Sequence, residues 1–268
     1  MPGRPLSLAS GVLPDATPLQ AVQAAAAAGF DAVGIWIELA TWTQQTTRDV
    51  RRAVRDNGLR VLDAEVIWIR PGPADPDHLR AIDIAAEIGA ANVLVVSSDP
   101  DLSATTEKFV RLCEHARFLP LGVALEFAAF TDVPDIGTAV AVLDRAAQPN
   151  QGLLVDALHL QRSGGQASVL RSLPSSWLSY AQLCDAPLTG PDASDRASIR
   201  AEAVDGRLCP GAGALPLQDL IAELPAGLPM SVEVRSRRLR EDYPDLAASA
   251  RVVQRLTRQW LDRMSSGT

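Results

Sequence analysis

Four oxygen-bearing side chains interrupt four otherwise apolar segments in the later part of the chain. The segments are GVALEFAAF, LLVDALHL, SYAQLCDAP and MSVEVRS, and the residues are Glu126, Asp156, Gln182 and Glu233. A buried carboxylate is costly unless an ion pair or a metal ion compensates for its lost hydration. Oxygen ligands of this kind suit Mg²⁺ or Mn²⁺. Each residue alone could be a structural, salt-bridged group, but four in successive segments predict one divalent-metal site.

Other polar and aromatic residues lie close to these segments and are candidates for binding a substrate. His159 follows the aspartate by three residues, so that its imidazole could donate a hydrogen bond to a substrate oxygen. Asp185 lies near the end of the glutamine segment. Three further candidates have an equally good structural interpretation, as wall packing or as part of a solvated charge run: Trp36, Glu65 and Arg235.

The elements that must position these residues alternate between short β-branched runs and longer alanine-rich stretches, a pattern typical of consecutive βα units. The predicted strands are Leu6–Ser10, Asp31–Ile37, Arg60–Ile67, Asn92–Ser97, Val123–Phe127, Gly152–Asp156, Leu178–Cys184 and Met230–Val234. The predicted helices are Pro18–Ala28, Thr46–Asn57, Pro76–Ile88, Ala104–Phe118, Ile136–Ala147, Ala167–Leu173, Leu217–Leu224 and Pro244–Met264. This order predicts an α/β fold, a single (β/α)8 TIM barrel over residues 1–268, with its site at the carboxyl ends of the strands.

An open, doubly wound sheet would give the same alternation of strands and helices. No GxGxxG follows the first predicted strand, so the dinucleotide-binding version of that fold would lack its phosphate cradle. Residues 186–216 are rich in Pro, Gly, Asp and Ser, which predicts a long loop after the seventh strand. In a barrel this loop would overhang the mouth of the site.

The amino-acid composition limits which partners the protein can bind and indicates in which cellular compartment it works. Apolar residues make up 47% of the chain and the formal net charge is −7, so a soluble globular protein is expected and nucleic acid is a poor partner. Three cysteines without a CxxC pair argue against disulfides and predict a cytoplasmic protein. No export signal or membrane span is evident. Lys108, the single lysine, falls on an expected outer helix face, which argues against Schiff-base chemistry.

The segments quoted above, together with GRLCPGAGALPL, resemble the sugar phosphate isomerase/epimerase family, the xylose isomerase-like TIM barrels. The resemblance spans nearly the whole chain and implies one bound divalent metal ion, Mn²⁺ or Mg²⁺ first and Co²⁺ or Zn²⁺ as alternatives. Its implied ligands are a Glu, an Asp, a His or Gln and a second Glu, which match Glu126, Asp156, Gln182 and Glu233. It also implies that His159 and Arg207 contact the substrate.

The activity implied by this resemblance is isomerisation or epimerisation of a ketose or a related small polyhydroxy carbonyl compound through an enediolate. Glu126 and Glu233 would be the catalytic acid and base, with His159 and Arg207 steadying the developing oxyanion. Gln182 stands where many epimerases have histidine and resembles the 3-dehydroshikimate dehydratases, so a metal-dependent lyase is the alternative.

Two further interpretations of the sequence are disfavoured. A barrel that binds a ligand without catalysis is a third interpretation, which the complete ligand set disfavours. The DNA-cutting branch is disfavoured by the acidic balance and by a total of three histidines. A homodimer is possible, with Trp260 expected to be exposed on the last helix.

Overall fold

The computed structural model describes residues 4–266, and eight parallel strands close into a barrel in sequence order. The last strand pairs with the first, in the register Leu6 to Met230 and Leu8 to Val232. The strands are β1 Leu6–Leu8, β2 Ala32–Trp36, β3 Arg60–Ile69, β4 Ala90–Ser97, β5 Gly122–Glu126, β6 Gln151–Asp156, β7 Ala181–Leu183 and β8 Met230–Val232. The predicted (β/α)8 barrel is confirmed, although the ends of the predicted domain, residues 1–3 and 267–268, lie outside the described residues.

Helices surround the barrel and begin and end at residues with recognisable local roles. The first helix begins at a capping box between Thr17 and Gln20, with Pro18 as its first residue, and ends at Gly29 with φ of 77°. The α-helices are α1 Pro18–Ala28, α2 Gln44–Asp56, α3 Asp77–Ile88, α4 Leu102–Ala116, α5 Ile136–Ala146, α6 Ala157–Arg162, α7 Arg196–Asp205, α8 Leu217–Glu223, α9 Arg237–Asp242 and α10 Leu246–Ser266.

The structure differs from the predicted elements mainly after the sixth strand, where α6, α7 and α9 lie outside the predicted helices. The predicted helix Ala167–Leu173 is a 3₁₀ helix, Ala167–Ser172. The predicted loop over residues 186–216 contains α7, which Asp195 begins by accepting a hydrogen bond from the amide of Ser198. Only two apolar residues of α7 are buried, Ile199 and Ala203. They are too few to produce a helical pattern of apolar residues in the sequence, whereas the surrounding Pro and Gly residues indicate a loop.

Two apolar layers fill the barrel wall and the barrel interior. Between strands and helices lies the main core, which includes Leu125 and Leu153. Inside the barrel lies a smaller cluster, comprising Ala32, Leu62, Leu94, Val96, Ala124, Leu154 and Tyr180. This inner cluster fills the barrel below the carboxyl ends of the strands, so that the polar residues above it rest on an apolar floor.

Two residues expected on the surface are covered. Lys108 donates hydrogen bonds to the Asp99 carboxylate at 2.6 Å and to the Arg70 carbonyl at 2.7 Å, and its side chain is 11% exposed. Trp260 is 9% exposed, and its ring lies against Gly211, where an added Cβ would come within 2.5 Å of the ring. The prediction of an exposed Trp260 was therefore wrong, because the segment before α8 covers the last helix.

No helix within residues 4–266 has both the length and the apolar content needed to cross a membrane.

The packing of the main core predicts that shortening a buried side chain lowers the free energy of unfolding more than shortening an exposed one. Leu153→Ala removes a side chain with no solvent exposure and is expected to lower the free energy of unfolding by about 2–5 kcal/mol. Leu188→Ala, at a residue that is 56% exposed, is the matched control and should change it by less than about 0.5 kcal/mol. Urea unfolding followed by circular dichroism measures both, and equal effects would contradict the described core.

Candidate functional site

Strand periodicity brings the four predicted metal ligands into the barrel interior at its carboxyl end. Successive side chains of a strand point to opposite faces, and residues two positions earlier, Ala124 and Leu154, belong to the inner cluster. Glu126 ends β5, Asp156 ends β6, Gln182 lies in β7 and Glu233 directly follows β8. All four are buried, with at most 7% exposure. The structure thus groups the residues that the sequence analysis selected.

The Arg207 guanidinium connects two of these carboxylates. One terminal nitrogen lies 2.6 Å from an Asp156 oxygen, and the other lies 3.0 Å from a Glu233 oxygen. The second nitrogen also lies 3.3 Å from Nε2 of His159. Arg207 is itself 2% exposed and donates through Nε to the carbonyl of Ala203 in α7. A buried ion pair with two carboxylates therefore holds the centre of the group together.

Asp156 also orients His159 through local helix geometry. Its second carboxylate oxygen accepts a hydrogen bond of 2.9 Å from the backbone amide of His159, so that it caps the start of α6. The imidazole packs edge to face against Phe130, with ring centroids 5.5 Å apart. The spacing of three residues is thus the spacing of an N-cap, and it turns the imidazole into the cavity.

Burial and neighbouring charges separate the protonation states of these groups. Burial, reinforced by the charge of Glu233, raises the pKa of Glu126 well above its usual value. Burial raises the pKa of Glu233 to about 7, against the opposing effect of Arg207. Burial would raise the pKa of Asp156, but Arg207 and His159 together hold it below its usual value. Burial lowers the pKa of His159 to about 4, so its imidazole is neutral at pH 7.

The donor atoms of this group fit a divalent ion chemically. One oxygen of Glu126 and both polar atoms of the Gln182 amide are buried and have no hydrogen-bond partner within residues 4–266. Such unpaired buried oxygens are costly without a ligand. Among the same residues, no three His, Cys, Asp or Glu side chains surround one point as metal ligands. Arg207 holds two of the predicted ligands, and a third ligand is the amide of Gln182.

A cavity of about 80 Å³ lies over these groups. The predicted substrate-binding residues Trp36, Glu65, His159, Arg207 and Arg235 all line it, together with Val66, Trp68, Leu94, Val96, Glu126, Phe130, Ala203, Val204 and Glu233.

Asp185, which was predicted to bind substrate, is placed outside this cavity. Its carboxylate accepts hydrogen bonds from the backbone amides of Ala186, Gly211 and Leu215, at 2.9, 2.9 and 3.0 Å. It lines a different cavity, beside Trp260. The carboxylate of Asp185 therefore holds the segment after α7 in place through hydrogen bonds to residues distant in the sequence.

Asp63 is a buried acidic residue that the sequence analysis missed. It lies in β3 with no exposure, and neither carboxylate oxygen has a hydrogen-bond partner within residues 4–266. Burial and the neighbouring Glu65 raise its pKa, while Glu65 accepts a 2.7 Å hydrogen bond from the hydroxyl of Ser10. An aspartate inside an apolar strand, two residues before a glutamate, was the available signal.

Comparison with known proteins identifies the family of this chain. The family described as xylose isomerase-like TIM barrel matches residues 22–259. The chain belongs to the xylose isomerase-like TIM barrel family. A 3-dehydroshikimate dehydratase from Pseudomonas aeruginosa is 29% identical over 279 residues, covering 96% of this chain and 42% of the relative. This xylose isomerase-like chain therefore spans less than half the length of that relative.

Solved structures show how widely the xylose isomerase-like barrel is shared. The IOLI protein with a bound zinc atom has a TM-score of 0.78 at 14% identity, covering 96% of this chain and 99% of that one. A D-psicose 3-epimerase with D-tagatose from Clostridium cellulolyticum has a TM-score of 0.70 at 12% identity, covering 96% and 99%. At these identities, the likeness shows a common fold.

The central ion pair predicts a large effect of neutralising Arg207. Arg207→Gln leaves the Asp156 and Glu233 carboxylates buried without their cation and is expected to destabilise the chelator-treated protein by about 3–5 kcal/mol. Arg196→Gln is the control, because Arg196 is 55% exposed in its pair with Asp132 and should contribute less than about 1 kcal/mol. Denaturant unfolding measures both, and an Arg207 variant as stable as the wild type would refute the ion pair.

Proposed function

We propose that this chain is a divalent-metal-dependent enzyme that moves protons next to the carbonyl group of a hydroxy carbonyl compound, with dehydration of a 3-dehydroshikimate-like acid as its reaction. The observation that carries the proposal is the pair of buried glutamates, Glu126 and Glu233, in one cavity with His159 and Arg207. Burial raises the pKa of both carboxyls, that of Glu233 to about 7, which suits Glu233 to exchanging protons near pH 7.

The ion would be held by Glu126, Asp156, Gln182 and Glu233, whose buried oxygens match a hard cation. When bound, it supplies a Lewis acid that polarises the substrate carbonyl and acidifies the adjacent C–H bond. Mn²⁺ and Mg²⁺ suit this oxygen set best, with Co²⁺ and Zn²⁺ as alternatives.

The remaining chemistry belongs to side chains of this chain. One of Glu126 and Glu233 takes the proton from the carbon next to the carbonyl, and the other gives a proton to the leaving hydroxyl, which departs as water. The C–H and C–O electron pairs are thereby converted into a C=C bond and a water lone pair. Arg207 and the neutral imidazole of His159 can donate hydrogen bonds to a substrate oxygen that gains negative charge. The apolar floor of the barrel limits the access of other water molecules.

Epimerisation is the second candidate, because the same two glutamates could remove a proton from one face of a carbon and return it to the other. Two features rank dehydration first. The resemblance described under the sequence analysis implies that Gln182 replaces a histidine of many epimerases, and the curated relatives with significant similarity, such as the 29% identical dehydratase, favour a lyase. A non-catalytic ligand-binding barrel and a homodimeric assembly remain proposals to be tested.

Metal content and turnover test the two catalytic candidates together. Wild type and Glu126→Gln, Glu233→Gln and Glu241→Gln variants are reloaded with Mn²⁺ after chelation, and bound metal is measured by inductively coupled plasma mass spectrometry. We expect the wild type and the exposed Glu241 control to hold about one ion per chain, and the other two variants to lose the ion or bind it weakly.

Turnover is then measured with 3-dehydroshikimate, followed by the ultraviolet absorbance of 3,4-dihydroxybenzoate, and with ketoses, followed by deuterium uptake from solvent. Glu126→Gln and Glu233→Gln are expected to lower kcat about 10²- to 10⁴-fold. Deuterium uptake and epimerised ketose without dehydration would move the second candidate to first place. A folded wild type without metal or turnover would overturn both.

The raised pKa values predict that metal binding is linked to proton release. The pKa of Glu233 is raised to about 7 and that of Glu126 is raised well above its usual value, so a cation must displace protons from these carboxyls. Apparent Mn²⁺ affinity is therefore expected to rise as the pH increases through 7, where Glu233 loses its proton. Calorimetric titrations at pH 6 and pH 8, each in two buffers with different ionisation enthalpies, measure affinity and released protons. Equal affinity and no proton release at pH 6 would count against the linkage.

A further inference from the structure

Arg235 is a cation at the catalytic cavity that lacks a protein partner. It follows Glu233 by two residues, after β8. Its Nε is buried, and none of its guanidinium nitrogens makes a hydrogen bond or an ion pair with another residue in the range 4–266. Arg207 is held by two carboxylates, whereas Arg235 is not. Its charge acts on the nearby Glu233, but no carboxylate of the described residues binds its guanidinium nitrogens directly. These nitrogens are therefore free to bind a negatively charged group of a ligand.

Arginines that follow Arg235 in the chain do have acidic partners, so the lack of a partner is particular to Arg235. Arg238 is 88% exposed at its side chain and lies 3.5 Å from Asp242. Arg240 pairs with Asp205. Arg238 and Arg240 thus belong to a solvated surface on which charges are paired, as expected from the sequence. Arg235 instead lines the cavity.

The backbone fixes where the Arg235 side chain lies. Its carbonyl accepts a 3.0 Å hydrogen bond from the amide of Arg207, so the two arginines are anchored side by side. Its aliphatic stem crosses Gly11, where an added Cβ would come within 2.7 Å of Cδ and 2.8 Å of Cγ. Any side chain larger than glycine at position 11 would therefore displace Arg235.

Arg235 and Trp36 also separate the catalytic cavity from a second, mainly apolar cavity of about 160 Å³. The other residues lining the second cavity are Ser10, Gly11, Leu13, Pro14, Ala16, Pro18 and Ala21. Apolar walls reduce the screening of a charge, so a guanidinium placed there binds an anion more strongly than one on an open surface.

Arg235 is also within electrostatic reach of the catalytic groups. Burial, and then the charges of Arg207 and Arg235, depress the pKa of His159. His159, Glu233 and Arg235 line the same cavity, so a substrate anion on Arg235 would share that cavity with the imidazole and the Glu233 carboxylate.

We propose that Arg235 binds an anionic group of the substrate, a carboxylate or a phosphate, and makes the site select a charged hydroxy carbonyl compound over its neutral counterpart. The free Nε and a terminal nitrogen form a fork that matches two oxygens of such a group. This inference rests on the proposed function, because it concerns the substrate of the same cavity. It names Arg235 as a specificity-determining residue and Gly11 as the residue that leaves room for it.

Binding tests the inference without requiring turnover. Calorimetry with Mn²⁺-reloaded protein compares benzoate and inorganic phosphate with neutral benzamide, in the wild type and in Arg235→Met, Gly11→Ala and Arg238→Met variants. Benzoate or phosphate should bind about ten- to a hundredfold more weakly to the first two variants than to the wild type, as expected for losing a charge-assisted hydrogen bond. The exposed Arg238 control should match the wild type, and thermal unfolding confirms that each variant is folded.

Turnover identifies the anion and separates this inference from the proposed function. The ratio of kcat/KM for 3-dehydroshikimate to that for its methyl ester, and for D-ribulose 5-phosphate to that for D-ribulose, is compared between wild type and Arg235→Met. A loss of about tenfold or more in the first ratio assigns a carboxylate, and a loss in the second assigns a phosphate. Unchanged ratios, or anion binding that does not depend on Arg235, would overturn the inference. Arg235-dependent binding without any turnover would sustain it and reject the proposed function.

Discussion

The buried ion pair of Arg207 with Asp156 and Glu233 is the interaction on which the candidate site depends. Arg207 is 2% exposed, and its terminal nitrogens lie 2.6 Å from an Asp156 oxygen and 3.0 Å from a Glu233 oxygen. The ion pair lies above the apolar cluster inside the barrel. One such cation cannot balance the acidic groups around it, which also include Asp63, Glu65 and Glu126. Asp63 and Glu126, whose pKa values are raised by burial, retain protons or receive a cation, because a buried carboxylate without hydration or a counter-charge is costly. The raised pKa values and the proposed divalent-ion site thus have the same physical cause.

The segment between β7 and β8 carries Arg207 and positions it in the site. Arg207 comes from the turn after α7, which was expected to be an unstructured overhang, and its amide is bonded to the carbonyl of Arg235. Asp185 fixes the following turn by accepting the amides of Gly211 and Leu215. Gly213 lies so close to this carboxylate and to the Ala186 carbonyl that an added Cβ would come within 2.5 Å of both. Polar residues of this segment are therefore structural supports for the arginine.

The barrel and the grouping of Glu126, Asp156, Gln182 and Glu233 were predictable because both follow from local periodicity. Alternation along parallel strands sends every second side chain inwards, and a barrel brings the ends of all its strands together. The roles of Asp185 and Trp260 were not predictable, since each depends on contacts between segments far apart in the sequence. Asp63 could have been found by the same argument as Glu126, as a charge within an apolar strand. The pairing of Arg207 required its position in space, and no spacing rule supplies it.

What the acid–base groups accomplish depends on the substrate that reaches them. Removing a proton next to a carbonyl leads to epimerisation if the proton returns, and to loss of water if the next carbon carries a hydroxyl that can be protonated. In the proposed function the glutamate pair would serve both outcomes, so the choice between them would lie in the cavity wall, which Trp36 and Arg235 line. An anion held on Arg235 would fix which carbon faces the glutamates, because a forked ion pair restrains both position and rotation. The type of reaction would then be set by how Arg235 binds the charged group of the substrate, while Glu126, Glu233 and Arg207 keep the same arrangement.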